Sequence, residues 1–215
     1  MNCQSPNKRR WKPSADFWLD KAACNISRVG LFFGSFNPIH NGHLNLARTL
    51  LENTGLEQVW LVVSPQNPFK LSAGLADDNM RYEMAWLATQ NLPGIEVCGI
   101  ELELPTPSYT IRTLDALRVR YPHIRFTLLM GADNWLGFPG WQEYERILAS
   151  YEILIYPRTG SPMPEHLPEG VRCVEAPTFD LSATQIREAI GRGEPIGQWV
   201  PEAVAEYIRR HRLYR

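Results

Sequence analysis

The chain has 215 residues, of which 44% are hydrophobic and 21% charged, the composition of an ordinary globular protein. That composition excludes collagen, coiled coils and disordered chains. Twenty-two Lys and Arg against 23 Asp and Glu give a net charge of −1, which argues against a protein that binds long nucleic acid or an anionic membrane. Any anionic ligand must therefore be bound by a local group of residues.

The cysteines and the N-terminus indicate the compartment. The four cysteines, at positions 3, 24, 98 and 173, match no CxxC or zinc spacing, which favours free thiols in a reducing environment. No apolar run follows the basic residues near the N-terminus, so a signal peptide is not expected, and no stretch is apolar enough to span a membrane. We therefore expect a cytoplasmic protein without a membrane partner.

The chain divides into an extension and one domain. Residues 1–27 are polar and locally basic and are expected to form an N-terminal extension of unknown role; residues 28–215 are predicted to form a single domain. From residue 28 onward, apolar runs typical of buried strands alternate with helical periodicity, as in βαβ units. Strands are predicted at Val29–Phe33, Gln58–Val63, Ile95–Cys98, Phe126–Met130, Ile153–Tyr156 and, at an edge, Val171–Val174.

Helical periodicity fills the segments between these strands. The first helix should end at Gly55, the second should begin at Asp77 or Asp78, and the others are predicted at Thr110–Tyr121, at Ser182–Ile190 and from Pro201 onward. In the second helix, Met80, Met84 and Leu87 are expected to face the core. The alternation predicts a Rossmann-like, doubly wound α/β fold with a parallel sheet.

The most informative stretch is 34–43 (GSFNPIHNGH), between the first strand and the first helix. Ligands bind at the carboxyl ends of strands in open α/β sheets, where helix N-termini offer unpaired N–H groups to phosphates. Gly34 would allow close backbone approach, and Gly42 would leave space beside His40 and His43. Two imidazoles at one helix start could donate hydrogen bonds to a polyphosphate. The alternative is that each histidine only caps or packs, which is less plausible for a pair in a glycine-bounded turn.

This stretch resembles the GxFxPxHxGH signature of the nucleotidyltransferase superfamily, whose HxGH element matches His40 to His43. It is neither a dinucleotide-binding GxGxxG fingerprint nor a P-loop. A second stretch, 181–187 (LSATQIR), opens a helix that Ser182 can cap and resembles the second signature of the superfamily. The resemblance implies that Ser182, Thr184 and Arg187 bind ATP, with Arg187 on the triphosphate. Taken alone, it could be an ordinary capped helix.

Three further matches narrow the family. Gly131 and Asp133 follow a predicted strand, where the carboxylate could accept from ribose hydroxyls or could simply cap a helix. The segment 107–110 (PSYT) and the exposed Trp141 of a Gly-Pro loop complete the pattern, although Trp141 could equally pack in the core. Together they are similar to bacterial nicotinate mononucleotide adenylyltransferases, over about residues 29–215.

This resemblance implies a reaction and a set of ligands. Nicotinate mononucleotide would attack the α-phosphate of ATP, with Mg²⁺ carried by the nucleotide and no dedicated metal site. His40, His43 and Arg187 would be catalytic. The ATP site would also include Gly34, Ser35, Phe36, Gly42, Lys70, Gly131 and Asp133, and the mononucleotide site Asn37, Tyr109, Thr110, Trp135 and Trp141. The loop before Lys70 lacks the histidine that many members of the family have there.

Several alternatives stay open. The acceptor could be nicotinamide mononucleotide or another small phosphate, since backbone donors that would read a carboxylate are invisible in the sequence. A non-catalytic nucleotide-binding protein, or an RNA-associated relative of the synthetases that share the HxGH element, is the rival from another class. The intact His40, His43 and Arg187 argue against the first and the net charge against the second. A homo-oligomer is possible.

Overall fold

A computed structural model describes residues 26–65 and 74–215 of the protein. Six strands form one sheet: β1 (Arg28–Gly34), β2 (Gln58–Val63), β3 (Ile95–Cys98), β4 (Arg125–Gly131), β5 (Glu152–Tyr156) and β6 (Val171–Cys173). Their order is β3-β2-β1-β4-β5-β6, and every neighbouring pair is parallel. The prediction of a doubly wound α/β fold is confirmed.

In the described residues, seven α-helices connect or follow the strands: α1 (Asn41–Thr54), α2 (Asp78–Thr89), α3 (Thr110–Arg120), α4 (Ala132–Leu136), α5 (Tyr144–Ser150), α6 (Ala183–Gly191) and α7 (Glu202–His211). Short 3₁₀ turns lie at Ile100–Leu102 and Phe138–Gly140. The first helix ends as predicted, because Gly55 adopts a left-handed φ of 68° that glycine tolerates without strain. Pro201 precedes α7 as its N-cap residue.

Hydrophobic cores cover both faces of the sheet. Residues of α1, α2, α6 and α7 pack on one face against side chains such as Phe32 and Leu61. Residues of α3 and α5 pack on the other against side chains such as Leu31 and Trp60. Strands buried on both faces explain why the sequence shows continuous apolar runs rather than alternation.

The buried face of α2 differs from the predicted one. Met84 is buried as expected, but Met80 and Leu87 are only half-buried, whereas Arg81 and Tyr82 are almost completely enclosed. Helical periodicity weights apolar residues alone, so it does not detect a guanidinium whose hydrogen bonds are all made inside the protein.

The strand order reverses between β1 and β4. β2 and β3 lie on one side of β1, and β5 and β6 lie beyond β4, so the connections leave in opposite directions. In open α/β sheets, the crevice at the carboxyl ends of two such strands is the usual place for a ligand. The segments after Gly34 and Gly131 meet at this crevice. In the described parts of the chain, no helix is long and apolar enough to cross a membrane.

Candidate active site at the strand crossover

The turn after β1 depends on a close approach at Gly34. A Cβ atom at this position would lie 2.8 Å from the ring of Phe36, too near for any other residue without a shift. Phe36 itself has a φ of 44°, a left-handed conformation that bulky residues rarely adopt, and its ring is buried. The ring lies edge-on to His43, with centroids 5.1 Å apart. Phe36 therefore helps to fix the position of this imidazole.

His40 and His43 form a stacked pair at the start of α1. Their ring centroids are 3.7 Å apart and the planes differ by 28°. His40 is the N-cap residue of the helix and is only 5% exposed. A Cβ at Gly42 would lie 3.0 Å from His40 Nδ1, so the glycine keeps space beside the imidazole, as the sequence predicted.

Burial determines the charge of His40. The loss of solvation, reinforced by the positive charge of Arg158, lowers the pKa of His40 from 6.5 to about 4. Among the described residues, its buried Nδ1 atom has no hydrogen-bond partner. The imidazole is therefore neutral at pH 7 in the free protein and carries one N–H donor. An anionic ligand nearby would raise the pKa again.

The histidine pair opens onto a pocket of about 440 Å³. Five predicted site residues contribute to its lining: His40, Gly42, His43, Asp133 and Ser182. The rest of the wall comes from α1, the segment after β5, the segment before α6 and the first turn of α6, through Leu46, Pro157, Arg158, Thr159, Pro177, Thr178, Phe179, Asp180, Leu181 and Gln185. The structure thus brings residues of the first and second sequence signatures to one cavity.

Arg158 is a site residue that sequence reasoning missed. Its Nε atom lies 3.6 Å from Asp133 Oδ1. Its Cγ atom lies 2.9 Å from the position that a Cβ atom at Gly131 would take, so the glycine leaves space for the Arg158 side chain. Arg158 follows β5 at the carboxyl edge of the sheet. Ligands bind at the carboxyl ends of strands in open α/β sheets, which predicts site residues after β5 as well as after β1 and β4. The position of Arg158 in the sequence is therefore a signal that could have identified it.

Arg187 joins the two signatures. The side chain of Ser182 caps α6 and forms a reciprocal capping box with Gln185. One turn later, Arg187 Nη1 donates to the carbonyl oxygen of Asn37 at 2.8 Å, and Nη2 donates to Thr184 Oγ1 at 3.1 Å. Since a guanidinium has five N–H donors, Arg187 can hold the first loop in place and still offer donors to an anion.

Asn37, an expected mononucleotide contact, forms side-chain hydrogen bonds within the protein. Its Oδ1 accepts from Ala76 N at 3.0 Å and from the hydroxyl of Tyr214 at 2.8 Å, while Nδ2 donates to Gly74 O at 3.0 Å. The side chain is buried, so its amide is engaged by the protein itself. This network fixes the turn after β1 to the C-terminus and to the segment before α2.

The residues predicted to bind the mononucleotide lie at two other places. Tyr109 is the N-cap residue of α3 and Thr110 is the first helical residue, both half-buried. Trp141 was expected to be exposed but is half-buried, because it packs edge-on against Phe138 at 5.5 Å, while Trp135 stacks on the same ring at 5.3 Å. None of these four lines the 440 Å³ pocket.

Two further expectations concern the loop and the metal. Lys70 and the departure from the family pattern just before it lie outside the described residues. In residues 26–65 and 74–215, no group of three or more His, Cys, Asp or Glu side chains is placed to hold a metal ion. Asp133 and Asp180 are the carboxylates that line the pocket.

The chain is similar in sequence to a known family and its members. Residues 31–189 match the model of the cytidylyltransferase-like family. A probable nicotinate-nucleotide adenylyltransferase from Bacteroides thetaiotaomicron is 44% identical over 191 residues, which cover 88% of this chain and 95% of the relative. A protein of the same name from Porphyromonas gingivalis is 47% identical over 175 residues, covering 80% and 89%.

Solved structures with the same fold are more distant in sequence. The nicotinic acid mononucleotide adenylyltransferase of Plasmodium falciparum complexed with NaAD aligns with a TM-score of 0.71 at 18% identity, covering 87% of this chain and 97% of that one. A putative nicotinate-nucleotide adenylyltransferase from Vibrio parahaemolyticus aligns with a TM-score of 0.65 at 20% identity, covering 88% and 96%. The likeness in sequence and fold extends over most of each protein, and the chain belongs to the cytidylyltransferase-like family, among relatives named nicotinate-nucleotide adenylyltransferases.

Proposed function

We propose that the protein joins nicotinate mononucleotide to the AMP moiety of ATP, forming nicotinate adenine dinucleotide and pyrophosphate in NAD biosynthesis. The names of relatives that are 36–47% identical over most of the chain support this activity. The observation that carries the proposal is the stacked His40–His43 pair, which faces a pocket at the point where the strand order reverses.

The chemistry needs no general base, because the attacking group is already an anion. An oxygen of the mononucleotide 5′-phosphate forms a bond to the α-phosphorus of ATP. The bond from that phosphorus to the bridging oxygen of the β-phosphate breaks, and pyrophosphate leaves with the electron pair. The protein must therefore orient two polyanions and stabilise the charge that develops on the α-phosphate and the leaving group.

The proposed ATP site combines both signatures. His40 and His43 would donate to the α-phosphate, and the backbone near Ser35 and Phe36 would add N–H donors. Arg187 would bind the β- and γ-phosphates, because its positive charge would stabilise the negative charge of the leaving pyrophosphate. Asp133 would accept hydrogen bonds from ribose hydroxyls. The remaining predicted contacts, from Gly34, Gly42, Lys70, Gly131, Ser182 and Thr184, would shape this site.

Magnesium would enter with the triphosphate. Mg²⁺ is bound by oxygen ligands, keeps several of its waters and often uses substrate phosphates rather than a protein cage. The carboxylates of Asp133 and Asp180 at the pocket could contact such an ion or its waters. When bound, the ion would neutralise part of the phosphate charge.

The mononucleotide would bind next to the α-phosphate. Tyr109 and Thr110 form the N-terminus of α3, and unpaired N–H groups at a helix start suit a carboxylate such as that of nicotinate. The rings of Trp135 and Trp141 would flank the pyridine, with Asn37 holding the adjoining turn. Nicotinamide mononucleotide is the second candidate acceptor, because the same aromatic surface fits an amide.

The test is pyrophosphate release in the presence of Mg-ATP and one acceptor at a time. The acceptors are nicotinate mononucleotide, nicotinamide mononucleotide and phosphopantetheine. We expect the highest kcat/KM with nicotinate mononucleotide. Release with phosphopantetheine alone would replace the proposed substrate, and the absence of release with every acceptor would indicate a binding protein.

A further inference from the structure

Arg81 is a buried cation that the proposed chemistry does not use. It lies in the first turn of α2 and its side chain is 0% exposed. Burying a guanidinium is strongly unfavourable unless its hydrogen bonds to water are replaced within the protein. The position therefore has to provide partners for the whole group.

Every N–H of this guanidinium has an acceptor. Nη1 donates to the carbonyl oxygens of Ser35 and Ser64, the latter at 2.9 Å. Nη2 donates to Pro65 O at 3.2 Å and to Asp78 Oδ1 at 2.6 Å, and Nε donates to Ala76 O at 3.1 Å. Five donors thus meet five acceptors, four of them backbone carbonyls.

Three of these four carbonyls belong to the segments that leave the sheet at the edge where the proposed phosphate site lies. Ser35 follows β1 directly, and Ser64 and Pro65 follow β2, which pairs with β1 along its length. Arg81 therefore ties together the two chain exits beside the predicted phosphate site. Lysine could not do so, because an ammonium presents three donors from a single atom rather than a planar fork.

The hydrogen bond from Arg81 to the Ser35 carbonyl also determines the direction of the Phe36 N–H. In a trans peptide the C=O and the following N–H point in opposite directions. A carbonyl of Ser35 held by Arg81 directs the N–H of Phe36 away from the guanidinium. We infer that Arg81 is a positioning residue that orients the Ser35–Phe36 peptide, so that the Phe36 N–H is presented to the α-phosphate of the nucleotide.

This inference rests on the proposed function and goes beyond it. Arg81 touches no substrate and acts through a backbone donor. The main chain then supplies a hydrogen bond that needs no reorganisation when charge develops on the phosphate. Phe36 has a left-handed backbone conformation and its ring contacts His43. It would therefore keep the His43 imidazole in a fixed position relative to the Ser35–Phe36 peptide.

The first experiment compares Arg81→Lys with Leu50→Ala. Leu50 is fully buried in α1, ten residues from His40 or about 15 Å along the helix, and serves as a control for lost stability. We expect Arg81→Lys to lower kcat by about 10- to 100-fold while the folded fraction, followed by circular dichroism, stays high. Leu50→Ala should lose comparable stability and keep kcat within about twofold of the wild type. A folded Arg81→Lys protein with the kcat of the wild type would overturn the inference.

A second measurement uses the unaltered protein, in case Arg81 variants do not fold. The backbone amides of the phenylalanines are labelled with ¹⁵N, and α,β-methylene-ATP is added without mononucleotide. The Phe36 amide proton should move downfield as it donates to phosphate. An unchanged Phe36 signal at saturating analogue would overturn the inference. If the wild type shifts this signal but releases no pyrophosphate with any acceptor, the proposed reaction fails, whereas a Phe36 shift that the wild type shows and folded Arg81→Lys loses still supports the positioning role of Arg81.

Discussion

The catalytic contribution that we propose for the histidine pair depends on one imidazole stacked on another. His43 contacts both His40 and Phe36, so its ring orientation is defined from two sides. Replacing His43 with alanine removes the proposed donor to the α-phosphate and should leave the backbone of α1 intact. We predict a decrease in kcat of about 10²–10³-fold.

Steady-state pyrophosphate release by the purified His43→Ala variant measures this decrease. His123→Ala, which removes an exposed imidazole from the turn after α3, is the matched control and should behave as the wild type. Near-normal turnover by the His43→Ala protein would refute the role of the pair in catalysis.

A substitution at Gly42 tests whether the His40 imidazole needs the space that the glycine leaves beside it. An added Cβ would lie 3.0 Å from His40 Nδ1 and 3.4 Å from the Cβ of Phe179, so the imidazole would have to shift. Gly42→Ala should lower kcat/KM for ATP at least tenfold, by analogy with the loss of one oriented donor. At Gly197, where nothing lies within 4 Å of the added atom, the same change should leave kcat/KM unaltered. Equal activity of the two variants would contradict the close contact.

The low pKa of His40 links stability to pH. The folded protein binds this proton only below about pH 4, whereas the unfolded chain binds it below about pH 6.5. Stability contributed by neutral His40 is therefore constant above pH 6.5 and decreases as the pH falls from 6.5 towards 4. At pH 5 the loss is about 2 kcal/mol.

Urea unfolding at pH 7 and pH 5 checks this linkage. The wild type should lose more stability between the two pH values than His40→Gln does, because glutamine does not titrate. The same loss in both proteins would show that His40 has an ordinary pKa.

Among the secondary-structure elements, the 3₁₀ turn Phe138–Gly140 packs against the aromatic residues that we propose for the mononucleotide site. Its Phe138 ring contacts both Trp135 and Trp141, so these side chains have a packing role besides the mononucleotide contact that we propose for them. Trp141→Ala should raise the KM for nicotinate mononucleotide by about tenfold or more through lost stacking, and should also lower the thermal midpoint.

The kinetic and thermal effects of Trp141→Ala are separated by a second variant. Trp86→Ala removes a Trp that is 37% exposed on α2, and it should leave the KM for the mononucleotide unchanged. If Trp141→Ala lowers only the thermal midpoint, with an unchanged KM, Trp141 is a packing residue and not part of the binding surface.

Apolar periodicity and turn chemistry were sufficient to predict most elements. The strand at Gln58–Val63 and the helix ending at Gly55 were predicted at their observed positions, because continuous burial and a left-handed glycine leave clear patterns. Arg81 and Asn37 were not predicted as buried connectors. Their partners are mostly backbone carbonyls and N–H groups of segments distant in sequence, and a sequence does not show which carbonyl a folded chain will bring near.

At the scale of the whole molecule, the site is assembled from segments 150 positions apart. Arg187 Nη1 reaches the carbonyl of Asn37, and Tyr214 near the C-terminus reaches the side chain of the same residue. The first signature loop is thus held by α6, by the C-terminus and by the segment before α2. A parallel sheet makes this possible, because all its carboxyl ends lie at one edge.

The most direct test of the account follows the phosphorus atoms of ATP. ATP labelled with ³²P at the α-position, or at the γ-position in a parallel reaction, is incubated with Mg²⁺, nicotinate mononucleotide and the protein, and the products are separated and identified by mass. If the protein transfers AMP to nicotinate mononucleotide, the α-label should appear in nicotinate adenine dinucleotide and the γ-label in pyrophosphate, in equal amounts. Recovery of the α-label as free AMP or ADP, with no dinucleotide, would contradict this transfer.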